Sequence, residues 1–176
     1  FAGQPYIDIR ASLTSFVPAP LTESVCSRIV ESCMDWLKKN PELHDKIEFD
    51  VIPTCFTLDF ANWRKHFMKN GKLSRDEIIE WENHLKQITK RSMNRVQDDL
   101  ISIYALRDRY ESLMESKLPP LSKAIALIND AKNFGTLPFA HLARSAFVAM
   151  AIVRSAITDN YLCPELLNEF METIHT

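Results

Sequence analysis

The sequence predicts a mainly α fold: a helical bundle with a small two-stranded antiparallel β-ribbon in its N-terminal half. Three observations lead there. Glycine occurs 3 times in 176 residues, leaving few sites for the φ > 0 turns that an all-β sandwich or barrel needs. Apolar residues recur at three- and four-residue steps through most of the chain, the period of amphipathic helices. Only residues 6–10 and 47–58 alternate with the two-residue period of a strand.

In the first of these, Ile7 and Ile9 fall on one side and Tyr6, Asp8 and Arg10 on the other, which predicts a half-buried strand. Pro18 and Pro20 close an irregular passage. From Thr22, the residues Cys26, Ile29, Val30, Cys33, Met34 and Leu37 trace one helical face, ended by Asn40-Pro41. Ile47, Phe49 and Val51 alternate with acids, and past Pro53 the phase slips to Phe56, Leu58 and Phe60. That predicts a second strand, kinked at Pro53 and paired with the first. A short helix over residues 61–70 then stops at Gly71, a C′ glycine.

Ser74 and Glu77 form a capping box. No glycine or proline follows until Pro119, so residues 74–118 make one very long helix or, the favoured reading, an antiparallel pair broken near 89–94. Pro119-Pro120 resets the chain. Residues 121–133 form a helix ending at Gly135, and Thr136 caps the next, with Pro138 in its first turn. That helix, through about residue 158, is apolar almost all round and is expected to be the central buried element. Pro164 starts the last helix, carrying Leu167, Phe170, Met171 and Ile174.

Composition narrows the function classes. With 46% hydrophobic residues and a net charge of -2, the chain is too apolar for disorder and has no basic excess for nucleic acid. One helix-rich domain over residues 1–176 is expected. Gly3, Gly71 and Gly135 cannot spell GxGxxG or GxxxxGK[ST], which excludes nucleotide binding by those two devices. Cys26, Cys33, Cys55 and Cys163 form no CxxC pair, so they read as reduced, mostly buried thiols without a metal, and a cytoplasmic setting is expected. An opening Phe1 without Met suggests a piece excised from a longer polypeptide. Residues 140–157 are the most apolar stretch, but His141, Arg144 and Arg154 argue for a buried soluble helix and against a membrane span.

Candidate binding residues fall in three places. Asp8, Arg10 and Ser12 sit together with Thr14 and Ser15, a set able to hold an anionic or polyol ligand or to form only a strand-edge ion pair. Asp59 follows Thr54 and Thr57; strand pairing would bring it to Arg10, while the plainer alternative is an N-cap. Thr136, His141 and Arg144 surround a predicted helix N-terminus, where free N–H groups attract an anion. Their plainer roles are a cap, a core or rim histidine, and a buried partner for an acid. Arg10 and Arg144 are expected in one polar cluster. His44 and His66 read as surface residues, and no nucleophile–base pair or metal set is present.

These stretches also carry a resemblance. Pro5-Tyr6-Ile7-Asp8-Ile9-Arg10-Ala11-Ser12, then Asn40-Pro41-Glu42-Leu43-His44-Asp45-Lys46-Ile47-Glu48-Phe49, then Thr54-Cys55-Phe56-Thr57-Leu58-Asp59-Phe60, and finally Gly135-Thr136-Leu137-Pro138-Phe139-Ala140-His141-Leu142-Ala143-Arg144 occur in this order. They resemble segments of phosphoenolpyruvate-synthase-like proteins, multidomain relatives of phosphoenolpyruvate synthase and pyruvate phosphate dikinase. There an ATP-grasp domain moves a phosphoryl group to a histidine on a swivelling domain. His141 lacks the Gly-Gly approach of that histidine, so its role is not carried over. The resemblance implies an internal substrate-site or spacer domain of an ATP-utilising phosphotransferase. ATP and Mg would belong to the parent protein. The partners would be other domains of the same polypeptide and a small-molecule substrate, with no nucleic acid and no membrane. The alternative is a non-catalytic helical interaction module. Asp8, Arg10, Thr136 and Arg144 lining one cavity would favour the substrate site; scatter would favour the module.

Overall fold

The first helix begins where the sequence predicts a strand. The computed structural model describes residues 6–70 and 73–174, and among them the helices run α1 Ile9–Phe16, α2 Glu23–Lys39, α3 Phe60–Asn70, α4 Arg75–Asn94, α5 Val96–Glu115, α6 Pro120–Asp130, α7 Thr136–Thr158 and α8 Pro164–Glu172. No strand occurs among the described residues, so the mainly α class holds and the β-ribbon does not. At residues 6–10, Asp8 is the N-cap of α1: its carboxylate accepts from the Ala11 N–H at 3.0 Å. From Ile9 the apolar positions are Leu13, Phe16 and Val17, which pack in the core. Five alternating residues are too few to outweigh a cap followed by helical spacing.

The second expected strand fails for a related reason. Ile47–Val51 forms a π-helical turn. Ile47 and Val51, four residues apart, are both buried, and a two-residue alternation satisfies a four-residue spacing equally well. Residues 52–59 then run irregularly into α3.

Several expectations hold. The helix expected from Thr22 forms, with Thr22 itself as its N-cap, Asn40 ends it, and the capping box is reciprocal: the Ser74 N–H donates to Glu77 at 2.8 Å and the Glu77 N–H to Ser74 Oγ at 3.3 Å. All four cysteines are free thiols; burial pushes the Cys33 thiol up to about 12, which leaves it inert. The expected C′ role of Gly71 lies outside the described residues.

The chain divides into two compact units, one formed by residues up to Thr89 and from Met150 onward, the other by Lys90–Ala149. The first holds the principal core, in which Leu13, Ile29, Cys33, Ile52 and Leu85 are fully enclosed. Phe67 meets Trp81 edge to face at 4.7 Å, and Phe60 meets the same indole at 6.4 Å.

The second unit is a helical hairpin, with α5 packed against α6 and the π-helical turn Ala131–Gly135 that follows it. The break expected near 89–94 is a single residue, Arg95, whose φ of -87° and ψ of -11° stay right-handed; no loop separates α4 from α5. The break expected at Gly135 is also missing. Thr136 is helical, with its hydroxyl donating to the Ala131 carbonyl at 3.1 Å, so it caps no free helix end. The π-turn widens the helix one turn before Pro138, which has no N–H to give. A Cβ on Gly135 would lie 3.2 Å from Leu106 Cδ2, so glycine serves close helix packing here.

The central buried helix is the largest correction. The helical run Pro120–Thr158 is long and apolar enough to cross a membrane by length and composition, yet 11% of its most apolar window is buried. Within α7, Val148 is enclosed while Phe139 and Phe147 are exposed. Its uniform apolarity therefore does not reflect burial on all sides within this chain. Ala146 is exposed, so Ala146→Leu should move the urea midpoint by less than about 0.5 kcal/mol equivalent; a loss of about 1–3 kcal/mol, the mark of overpacking, would restore the central-helix reading.

Candidate functional site

The irregular stretch 52–59 is irregular because it is tied at several points by side chains rather than by a ladder. The Phe56 N–H donates to Thr89 Oγ1 at 2.8 Å, and the Leu58 N–H to Ser155 Oγ at 3.1 Å. Those hydroxyls in turn donate to the carbonyls of Leu85 and Ile152. The stretch is thereby fastened to α4 on one side and to the end of α7 on the other, all within the first unit.

Between the π-turn, this stretch, α2, α3 and the end of α7 lies a half-open cleft of about 380 Å³. Its aromatic wall is Trp36, Trp63 and His66. The His66 ring meets Trp36 at 5.0 Å and 83°, and Trp63 at 6.4 Å and 80°. Trp63, His66 and Phe67 sit three and four residues apart on α3, so Phe67 anchors in the core while its neighbours face the cleft wall. Burial pushes the His66 imidazole below its ordinary value, so it is neutral at pH 7.

The polar wall is Glu48, Asp50, Asp59 and Arg154. The Arg154 guanidinium lies over the Phe49 ring at 4.5 Å. Among the described residues, none of these four side chains forms an ion pair or hydrogen bond. Elsewhere the long charged side chains are frequently paired: Arg10 with Glu31, Arg28 with Glu77, Arg64 with Glu82, Arg109 with Asp130. Thr57, 8% exposed on the same wall, has a hydroxyl with no hydrogen-bond partner among the described residues. A buried unsatisfied hydroxyl costs about 1–3 kcal/mol, and native folds keep few of them.

Of the candidate binding residues read from sequence, Asp59 lies on this cleft, together with the Thr54 and Thr57 that precede it. Asp8 caps α1, and its carbonyl accepts from Ser12 Oγ at 3.0 Å. Arg10 pairs with Glu31 at 2.6 Å; the strand pairing meant to bring it to Asp59 does not exist. Asp8, Arg10, Ser12 and Asp59 belong to the first unit, and Thr136, His141 and Arg144 to the second. His141 Nδ1 lies 2.9 Å from Asp99 Oδ1, and Arg95 Nε 3.3 Å from Asp99 Oδ2. Ser145, one turn on, donates to the carbonyls of Ser92 and His141. Its hydroxyl is thus engaged away from the imidazole, so Ser145 and His141 do not form a nucleophile–base pair.

Sequence reasoning missed Trp36, Trp63, His66 and Arg154. The available signal was the Trp63–His66–Phe67 spacing, a helix face too aromatic for solvent. No group of His, Cys, Asp and Glu that could hold a metal occurs among the described residues. No family model, curated protein or solved structure matches this chain.

Proposed function

We propose that this chain is an internal substrate-site domain of an ATP-utilising phosphotransferase of the phosphoenolpyruvate-synthase-like kind, without the ATP-grasp or phosphohistidine centre. The observation that supports the substrate-site part is the cleft: unpaired charged groups and an unsatisfied hydroxyl converge on one aromatic-walled hollow of ligand size. Phosphotransferase membership rests on the sequence resemblance. No glycine-rich cradle is spelled by the sequence, so the triphosphate and its Mg belong to another part of the parent polypeptide.

The expected result is that calorimetry of this chain with MgATP gives no binding isotherm. The polypeptide containing it should consume ATP in an acceptor-dependent way, and Asp50→Asn with Asp59→Asn should raise the acceptor KM at least tenfold with ATP affinity unchanged. Micromolar MgATP affinity in this chain, or an unchanged acceptor KM, would overturn the reading.

A second reading, a module that docks other domains of the same polypeptide, is favoured by the hairpin surface. Leu121, Ile125 and Ile128 repeat along one face of α6 and are 72%, 53% and 67% exposed.

A further inference from the structure

We infer that the cleft selects an organic cation: an ammonium-bearing molecule with an apolar or aromatic body. The inference rests on the substrate-site reading and adds the chemical class of the ligand. Three carboxylates, Glu48, Asp50 and Asp59, stand against one guanidinium, Arg154. That guanidinium already covers the Phe49 ring. His66, neutral at pH 7, adds no positive charge. The lining therefore carries more negative than positive charge, which favours a cation over an anion.

The aromatic wall points to the same charge. The negative faces of indole rings attract ammonium groups and repel carboxylates. Trp36 and Trp63 also contribute apolar surface to the lining. Thr57, whose buried hydroxyl has no hydrogen-bond partner among the described residues, lines the same wall. A volume of about 380 Å³ suits a small metabolite and lies near the lower end for ligand pockets.

The test uses the chain with three matched probes: phenethylammonium, 2-phenylethanol and 3-phenylpropionate. Binding is read by calorimetry and by tryptophan fluorescence, with Trp36→Phe and Trp63→Phe assigning the signal against the buried Trp81. Phenethylammonium should bind saturably, at least tenfold tighter than the alcohol, and the carboxylate should show no saturable binding. Asp50→Asn with Asp59→Asn should weaken the ammonium at least tenfold, with circular dichroism and urea midpoint confirming the fold, while Arg10→Ala leaves it unchanged. If 3-phenylpropionate binds instead, and Arg154→Ala abolishes that binding, the cation inference fails and the substrate-site reading stands. If none of the three binds, both fall.

Discussion

Phe67→Ala is expected to lower stability by about 3–5 kcal/mol, at the upper end of what one side-chain truncation costs. Phe67 is 1% exposed and touches Trp81 edge to face at 4.7 Å. Trp63 lies 6.2 Å away and His66 5.1 Å. Truncation removes the transfer energy of the ring, the aromatic contacts worth about 0.5–1.5 kcal/mol each, and leaves a void that α2, α3 and α4 cannot close without moving. Urea denaturation followed by tryptophan fluorescence reads the loss directly, because Trp81 reports the core and Trp63 the cleft. The matched control is Ile125→Ala on the exposed face of α6, which should shift the midpoint by less than about 0.5 kcal/mol equivalent. Equal effects at the two positions would show that the core is misplaced.

The same change bears on function. Trp63 and His66 share α3 with Phe67, so loosening the anchor loosens the aromatic wall. Phe67→Leu, which keeps more of the buried volume, should retain the fold while weakening phenethylammonium. A variant that is folded and binds normally would show that the wall is positioned by other contacts.

Which parts were legible follows from how the signals arise. The capping box at Ser74 and the stop at Asn40 are local hydrogen-bond or steric devices, and local residues suffice to read them. The π-turn at Ile47–Val51 was not legible, because period two and a four-residue repeat predict the same buried pair. The burial of α7 was not legible either. Apolarity on every side shows that a helix can be covered, and whether this chain supplies the cover depends on tertiary packing. The cleft escaped for a third reason. Its wall draws on residues as far apart as Trp36 and Ser155, joined by side chains from Thr89 and Ser155 to backbone N–H groups, which no window of sequence contains. Asp59 was reachable because it immediately precedes a helix; Arg154 looked like one charge interrupting an apolar run.

Acid should weaken the fold through Glu77. Hydrogen bonds from Arg28 and from the Ser74 backbone hold the Glu77 carboxyl down to about 2, from an ordinary 4.5. A carboxyl depressed on folding contributes stability that is fully present above the unfolded value and is lost as pH falls through the folded one. The window is therefore about pH 4.5 down to about 2. Glu77 is a quarter exposed and Arg28 about a third, so solvent screening reduces the ion pair, and cap and pair together amount to about 1–2 kcal/mol at pH 7. Glu31 and Glu82 titrate in the same direction. Arg10 lowers Glu31; burial would raise Glu82, but the hydrogen bonds from Lys86 and Arg64 together outweigh it. The diagnostic quantity is thus the difference between wild type and Glu77→Gln. Glutamine can still accept from the Ser74 N–H, preserving the cap while removing the charge. Urea midpoints at about pH 7, 4.5, 3.5 and 2.5 should show a gap that is widest at neutral pH and shrinks through the last two points. A gap independent of pH would assign the residue a purely capping role and detach Arg28 from the stability of α4.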